Sequence, residues 1–305
     1  MLRKLIIFIV VAALAALPAY ITITAPETVA AAALPPYQPN IDNGKALFAA
    51  GNCASCHASP NQQDMTRLGG GHVMKTPFGV FHTPNISSDE KDGIGGWNEA
   101  QFVTALVKGT SPGGEHYYPA FPYPSFQRMS LNDARDLFAY VRSLPKVSGK
   151  APAHELSFPF NIRATLGGWK LLFLDGKPFQ PDPKQSAQWN RGAYLVNGPA
   201  HCAECHSPRN LLGGIVTSQR FAGGLDPEGE GFTPNITQKG LGSWSEKDIA
   251  NLLESGDLPD GDRVGGAMVK VVRNTAQLSP ADRAAMAVYL KSLPAIDGPA
   301  RPPRS

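Results

Sequence analysis

Cysteine and histidine recur in one five-residue order at two places in this 305-residue chain, Cys53-Ala54-Ser55-Cys56-His57 and Cys202-Ala203-Glu204-Cys205-His206. Two residues between the cysteines put both sulfurs on one helical turn, where they reach the two vinyl groups of a single porphyrin. The histidine that follows is then aimed at the iron. The spacing predicts one covalently bound c-type haem at each run: Cys53 and Cys56 with His57 on the iron, and Cys202 and Cys205 with His206 on the iron. A zinc knuckle would need four ligands close together, and a thioredoxin-type pair needs no trailing histidine. All four cysteines lie in these runs, which leaves none for a disulfide, an iron–sulfur cluster or a nucleophile.

The runs sit inside a longer repeat. Gly44 to Phe48 before the first run matches Gly192 to Val196 before the second. Thr83-Pro84-Asn85-Ile86-Ser87 returns as Thr233-Pro234-Asn235-Ile236-Thr237, Gly93 to Trp97 returns as Gly240 to Trp244, and Ser143-Leu144-Pro145 returns as Ser292-Leu293-Pro294. The offsets are 202 − 53 = 149, 233 − 83 = 150, 244 − 97 = 147 and 292 − 143 = 149. Four blocks in one order at nearly one offset mean a duplicated domain.

Helices with long loops are expected in each copy. One spans 43–51 and leads into the first run. Another follows each tryptophan, opened by Ser245 with Asp248 as a capping box and by Asn98 with Gln101 as its counterpart. The last helices run over 133–143 and 281–292, and each stops at a proline. The glycine- and proline-rich stretches between them would make a poor core alone. A large apolar ring at the centre of a small domain turns such loops into packed walls.

At the N-terminus Arg3 and Lys4 precede an uncharged apolar run from Leu5 to about Ile23. This reads as an export signal with a small-residue cleavage site at Ala30-Ala31-Ala32, or equally as an uncleaved membrane anchor. Without Arg3 and Lys4 the formal charge falls from +3 to +1, and nothing in the sequence suggests nucleic-acid binding. The expected division is a signal or anchor at 1–33, a first domain at 34–147, an aromatic strap at 148–185, a second domain at 186–298 and a tail at 299–305. His154, Phe158, Phe160, Trp169, Phe173 and Phe179 make the strap apolar, so it is expected to seal the two domains together, with a docking or membrane surface as the alternative.

The whole pattern resembles the class I cytochrome c domain taken twice. More closely, it is similar to the dihaem c-type cytochromes related to the cytochrome subunits of membrane-bound alcohol and gluconate dehydrogenases. The resemblance rests on the two haem runs, the two Thr-Pro-Asn-Ile blocks, the two Gly-x-Gly-x-Trp blocks, Tyr118 to Tyr123 and Gly265-Gly266-Ala267-Met268. It implies an all-α fold of two tandem cytochrome c domains in the periplasm. It also implies an electron-transfer role, between a partner dehydrogenase and a quinone or other respiratory acceptor. The alternative class is a dihaem enzyme of the peroxidase or thiosulfate dehydrogenase type, which would need an open or cysteine-ligated iron.

Histidine plus methionine fills both axial positions of a haem and raises its potential. Met268 lies in the glycine-rich loop where such a domain carries its ligand methionine, and Met286, inside the last helix, is on the wrong side of that loop. In the first domain Phe121 stands where related subunits have methionine. Met129 is then the expected ligand, against a core role matching its counterpart Leu278, with His116 or an open iron as alternatives. His72, His82, His154 and His201 read as loop residues or haem-propionate partners, and Trp97 and Trp244 as core residues able to reach a propionate. Asp226, Glu228 and Glu230 form a solvated turn more readily than a calcium loop.

Overall fold

Two helices cross at a glycine in each half of the chain. In the first half α2 (Ile41–Ala50) crosses α6 (Leu131–Ser143); in the second, α8 (Ala187–Asn197) crosses α12 (Pro280–Ser292). A side chain at Gly44 would overlap the carbonyl oxygen of Asp136, and one at Gly192 would overlap that of Ala285. The backbones therefore meet where the sequence removes the Cβ. The computed structural model describes residues 1–228 and 231–301. Gly229 and Glu230 of the acidic turn, and 302–305 of the tail, lie outside the described residues.

The remaining elements follow the same plan twice. The haem runs form α3 (Cys53–His57) and a 3-10 turn at Cys202–Glu204. After the tryptophans come α4 (Glu99–Lys108) and α10 (Glu246–Ser255), which pack on α6 and α12. Both have complete capping boxes, Asn98 with Gln101 and Ser245 with Asp248, and both end on a left-handed glycine, Gly109 (φ 58°) and Gly256 (φ 79°). Ahead of the last helices stand α5 (Tyr123–Phe126) and α11 (Met268–Thr275), and α9 (Gln238–Leu241) lies before α10. One core gathers Leu47, Phe48, Phe102, Val103, Leu137 and Val141; the other gathers Leu195, Val196, Ile249, Leu253, Met286 and Leu290. Ala49 and Ala50 at the end of α2 are buried in the second core, so the halves share a seam.

The fold is mostly helical, but short strands appear where only loop was expected. β1 (Val73–Thr76) and β2 (Gly79–His82) form an antiparallel hairpin, and β3 (Glu155–Leu156) adds to β2. β4 (Gly224–Leu225) pairs with β5 (Phe232–Thr233) in the second half. The segments are too short to show a period-two pattern in the sequence. Each ribbon feeds into a Thr-Pro-Asn block.

The strap touches both halves. β3 joins the first-half sheet, and α7 (Thr165–Phe173) sets Trp169 against Tyr123, with its indole N–H donating to the Leu212 carbonyl at 2.9 Å. Phe179 packs against the second core, and its N–H donates to the carbonyl of Arg128 at 3.0 Å. Leu171 and Leu172 face solvent.

The N-terminal α1 (Leu2–Ile23) has its described side chains exposed, and among the described residues no helix is long and apolar enough to cross a membrane. Of the two expectations for this segment, signal or uncleaved anchor, the anchor has no membrane-crossing helix among the described residues to support it. Beyond α1 the chain is docked on the first half: Thr24 is buried, and the N–H of Val29 donates to Thr104 Oγ1 at 2.9 Å.

Candidate haem-attachment sites

Each run begins at a backbone reversal. Asn52 (φ 51°) and His201 (φ 40°), one residue before the first cysteine of each run, occupy the left-handed region, which asparagine and histidine tolerate better than most residues. The chain thereby leaves α2 or α8 and curls at once into the turn that carries the sulfurs.

The histidines are oriented by the repeated Thr-Pro-Asn block. His57 Nδ1–H donates to the Pro84 carbonyl at 2.8 Å, and His206 Nδ1–H donates to the Pro234 carbonyl at 2.8 Å. A histidine with Nδ1 so engaged presents Nε2 to a metal. Burial lowers the pKa of both imidazoles, and only the neutral ring can ligate iron. The threonines act one residue earlier in each block: Thr83 Oγ1 donates to the Cys56 carbonyl and Thr233 Oγ1 to the Cys205 carbonyl, both at 2.6 Å.

A third layer closes over these carbonyls. Gly70 N–H donates to the His57 carbonyl at 2.8 Å and Gly223 N–H to the His206 carbonyl at 2.9 Å. Both glycines have positive φ, 73° and 78°. A Cβ at Gly70 would fall 2.5 Å from the Thr83 and Pro84 oxygens, and one at Gly223 would fall 2.7 Å from the Thr233 oxygen. Asn85 Nδ2 holds the carbonyls of Val147 and Gly149, and Asn235 Nδ2 that of Ile296, so each block also pins the chain leaving the last helix. The sequence showed these blocks as repeats without giving them a role. Their recurrence at nearly one distance after Cys-x-x-Cys-His, 83 − 57 = 26 and 233 − 206 = 27, was the available signal.

The donor set fits haem c. Paired sulfurs on one turn, and a neutral histidine held through Nδ1, are what covalent attachment and iron ligation require. Burial pushes the thiols of Cys53 and Cys202 up to about 12, so neither is poised as a thiolate nucleophile.

The methionines differ. Met268 is the first residue of α11 and is partly exposed, beside Gly265 and Gly266, which have open space around them. Met129, between α5 and α6, is 2% exposed in the first core, in a cluster that also takes in Ala54, Cys53, Trp97 and Phe121. Leu278 occupies the corresponding place in the second core.

The other histidines have protein partners. His116 Nε2–H donates to the Thr24 carbonyl at 2.9 Å, while its Nδ1 is buried without a partner. His82 Nε2 lies 2.9 Å from Glu155, and the backbone N–H of His82 donates to His154 Nδ1; His72 lies 3.8 Å from Glu228; His201 packs on Phe126. Trp97 and Trp244 pack against the two cores. Among the described residues no cluster of acidic, cysteine or histidine side chains is arranged to hold a metal ion by itself.

A family model described as Cytochrome c matches residues 41–145 and again 189–294. The chain is 49% identical over 256 residues to a protein of Cereibacter sphaeroides named diheme cytochrome c-type, covering 83% of this chain and 86% of that one. It is 38% identical over 265 residues to the fructose dehydrogenase cytochrome subunit of Gluconobacter japonicus, covering 85% of this chain and 54% of the subunit. It is 34% identical over 266 residues to the alcohol dehydrogenase (quinone) cytochrome c subunit of Gluconobacter oxydans, covering 84% and 55%. The chain thus spans most of the first relative and about half the length of the two dehydrogenase subunits.

Proposed function

The chain belongs to the cytochrome c family, with one such domain in each half, and from that premise we propose that it relays electrons from a dehydrogenase to a quinone or other respiratory acceptor. It carries two covalently bound haem c groups and serves electron transfer, with substrate chemistry left to a partner chain. The observation that carries the reading is the matched pair of Pro84–His57 and Pro234–His206 hydrogen bonds, which gives each half its own oriented proximal histidine.

In this assignment Cys53, Cys56, Cys202 and Cys205 would hold the two groups, His57 and His206 would ligate the irons, and the bound haem would supply one-electron redox chemistry. The protein's part would be to keep both imidazoles neutral and aimed, to wall the groups from water with the two cores, and to supply a second ligand to each iron. Met268 and Met129 are assigned that last task. The open loop around Gly265 and Gly266 supports the first of them. The second rests on the cluster Met129 shares with Cys53 and Trp97. In the oxidised spectrum, Met268→Ala and Met129→Ala are each expected to abolish one of two methionine-to-iron charge-transfer bands. Retention of both bands in Met129→Ala would return Met129 to the core role that Leu278 has.

We place the working protein on the periplasmic side, delivered by the Arg3-Lys4 leader, with α1 as signal or anchor. The docked residues Thr24 and Val29 favour retention of the segment that follows α1. The test is to isolate the haem-bearing chain from the membrane fraction, determine its intact mass, and mix it with whatever dehydrogenase accompanies it. Rapid haem reduction when the dehydrogenase's substrate is added, and none by substrate without it, is the expected result. Steady oxidation of alcohols, aldehydes or peroxide chemistry by the purified chain alone would overturn the carrier role.

A further inference from the structure

Two hydrogen-bonded contacts cross between the halves at equivalent places. Ser125 on α5, 1% exposed, donates its Oγ to Glu204 Oε1 at 2.7 Å, and Glu204 is one of the two residues between the cysteines of the second run. Asn274 on α11, 3% exposed, donates its Nδ2 to Asn52 Oδ1 at 2.6 Å and to Ser55 Oγ at 3.1 Å, and Ser55 holds the same place in the first run. The pairs obey the offset of the haem runs: 274 − 125 = 149, 204 − 55 = 149 and 201 − 52 = 149. Phe126, next to Ser125, sets its ring 5.5 Å from that of His201, the counterpart of Asn52. The helix that leads into the last helix of each half therefore grips the attachment turn of the other half.

We propose that Ser125 and Asn274 are positioning residues that fix the two haem-bearing turns in one relation to each other, so that an electron exchanges between them at a single defined geometry. That exchange oxidises one iron, reduces the other, and makes or breaks no bond. The inference rests on the two-haem reading. The burial of both donors decides against an incidental contact: a buried serine or asparagine that loses its partner strands a polar atom away from water. Glu204 is fixed on its other oxygen by Arg209 at 2.7 Å, so its carboxylate is a rigid post for Ser125. Asn52 is likewise braced, accepting from Ser55 Oγ at 2.5 Å.

The experiment uses the full haem-loaded chain carrying Ser125→Ala, Asn274→Ala and both together. Pulsed electron paramagnetic resonance of the diferric form reads the distribution of inter-haem distances, and photo-triggered injection of one electron reads its equilibration. The double variant is expected to keep both haems and their individual spectra, to broaden the distance distribution, and to slow equilibration about tenfold, since small misplacements of paired reactants cost rate steeply. Each single variant is expected to lose less than half of that effect, because the other contact still holds. Gln277→Ala, an exposed site whose amide bonds locally to the Arg273 carbonyl, should change neither readout. If the double variant does not accumulate, Asn274→Ala against Gln277→Ala gives the same comparison. A parental distance distribution and rate with both haems present would overturn the positioning role while leaving the two-haem reading intact. A parent chain with one haem would sink that reading instead.

Discussion

A chain carrying Cys53→Ala and Cys56→Ala together retains one covalent haem where the parent has two. The loss is expected to be confined to the first half because each half carries its own pair of cysteines and its own proline-held histidine. Removing the sulfurs leaves His57 with a non-covalent hold at most, which does not survive denaturation. A denaturing gel stained for haem, with a pyridine haemochrome count per chain, reads the result. The matching pair Cys202→Ala and Cys205→Ala should also leave one. A ratio of two in either variant, or a parent ratio of one, would refute the assignment of one haem to each run.

Gly192→Ala is expected to destabilise the second half by about 3 kcal/mol, at the upper end for overpacking a tight core. The new methyl would overlap the Ala285 carbonyl where α8 meets α12. A backbone oxygen cannot swing aside as a long side chain can, so the helices must part along a seam lined by Leu195, Val196, Met286 and Leu290. In a chain of 305 residues that cost corresponds to a fall of roughly 5 °C in the melting temperature of the haem-loaded protein. Gly113→Ala, where an added Cβ would meet only the Ser111 hydroxyl at an ordinary 3.7 Å, should move it little. A melting curve for Gly192→Ala that overlays the parent would show that the crossing is looser than described.

Residues that act through near neighbours were readable from the sequence. The haem runs needed only their spacing, the duplication only its offset, and the α4 and α10 caps only the Asn98–Gln101 and Ser245–Asp248 pairs. Contacts made across the fold were not. Pro84 and Pro234 matter through their carbonyls, which no side-chain pattern reports. β3 forms only because the strap passes β2, and two residues carry no periodicity. Residues close to the start of the chain take part in the first half, where Thr24 receives the His116 hydrogen bond, a pairing across 92 positions that composition cannot suggest. Met129 stayed ambiguous because a buried methionine packs as well as it ligates, and the cluster around it contains both core aliphatics and Cys53.

The crossed grip of α5 and α11 on the opposite attachment turns has the form of an isologous interface, in which the same patch on each partner meets its own mirror role. Two identical subunits joined this way would be bound to change in step, since every substitution appears on both sides at once. Here the partners are halves of one polypeptide, and they have drifted apart at the contact itself: asparagine faces asparagine and serine on one side, serine faces a carboxylate braced by arginine on the other. A symmetric pair of redox groups would share an electron evenly and give it no direction. Joining the copies end to end keeps the geometry of a dimer while letting the two sites become unequal.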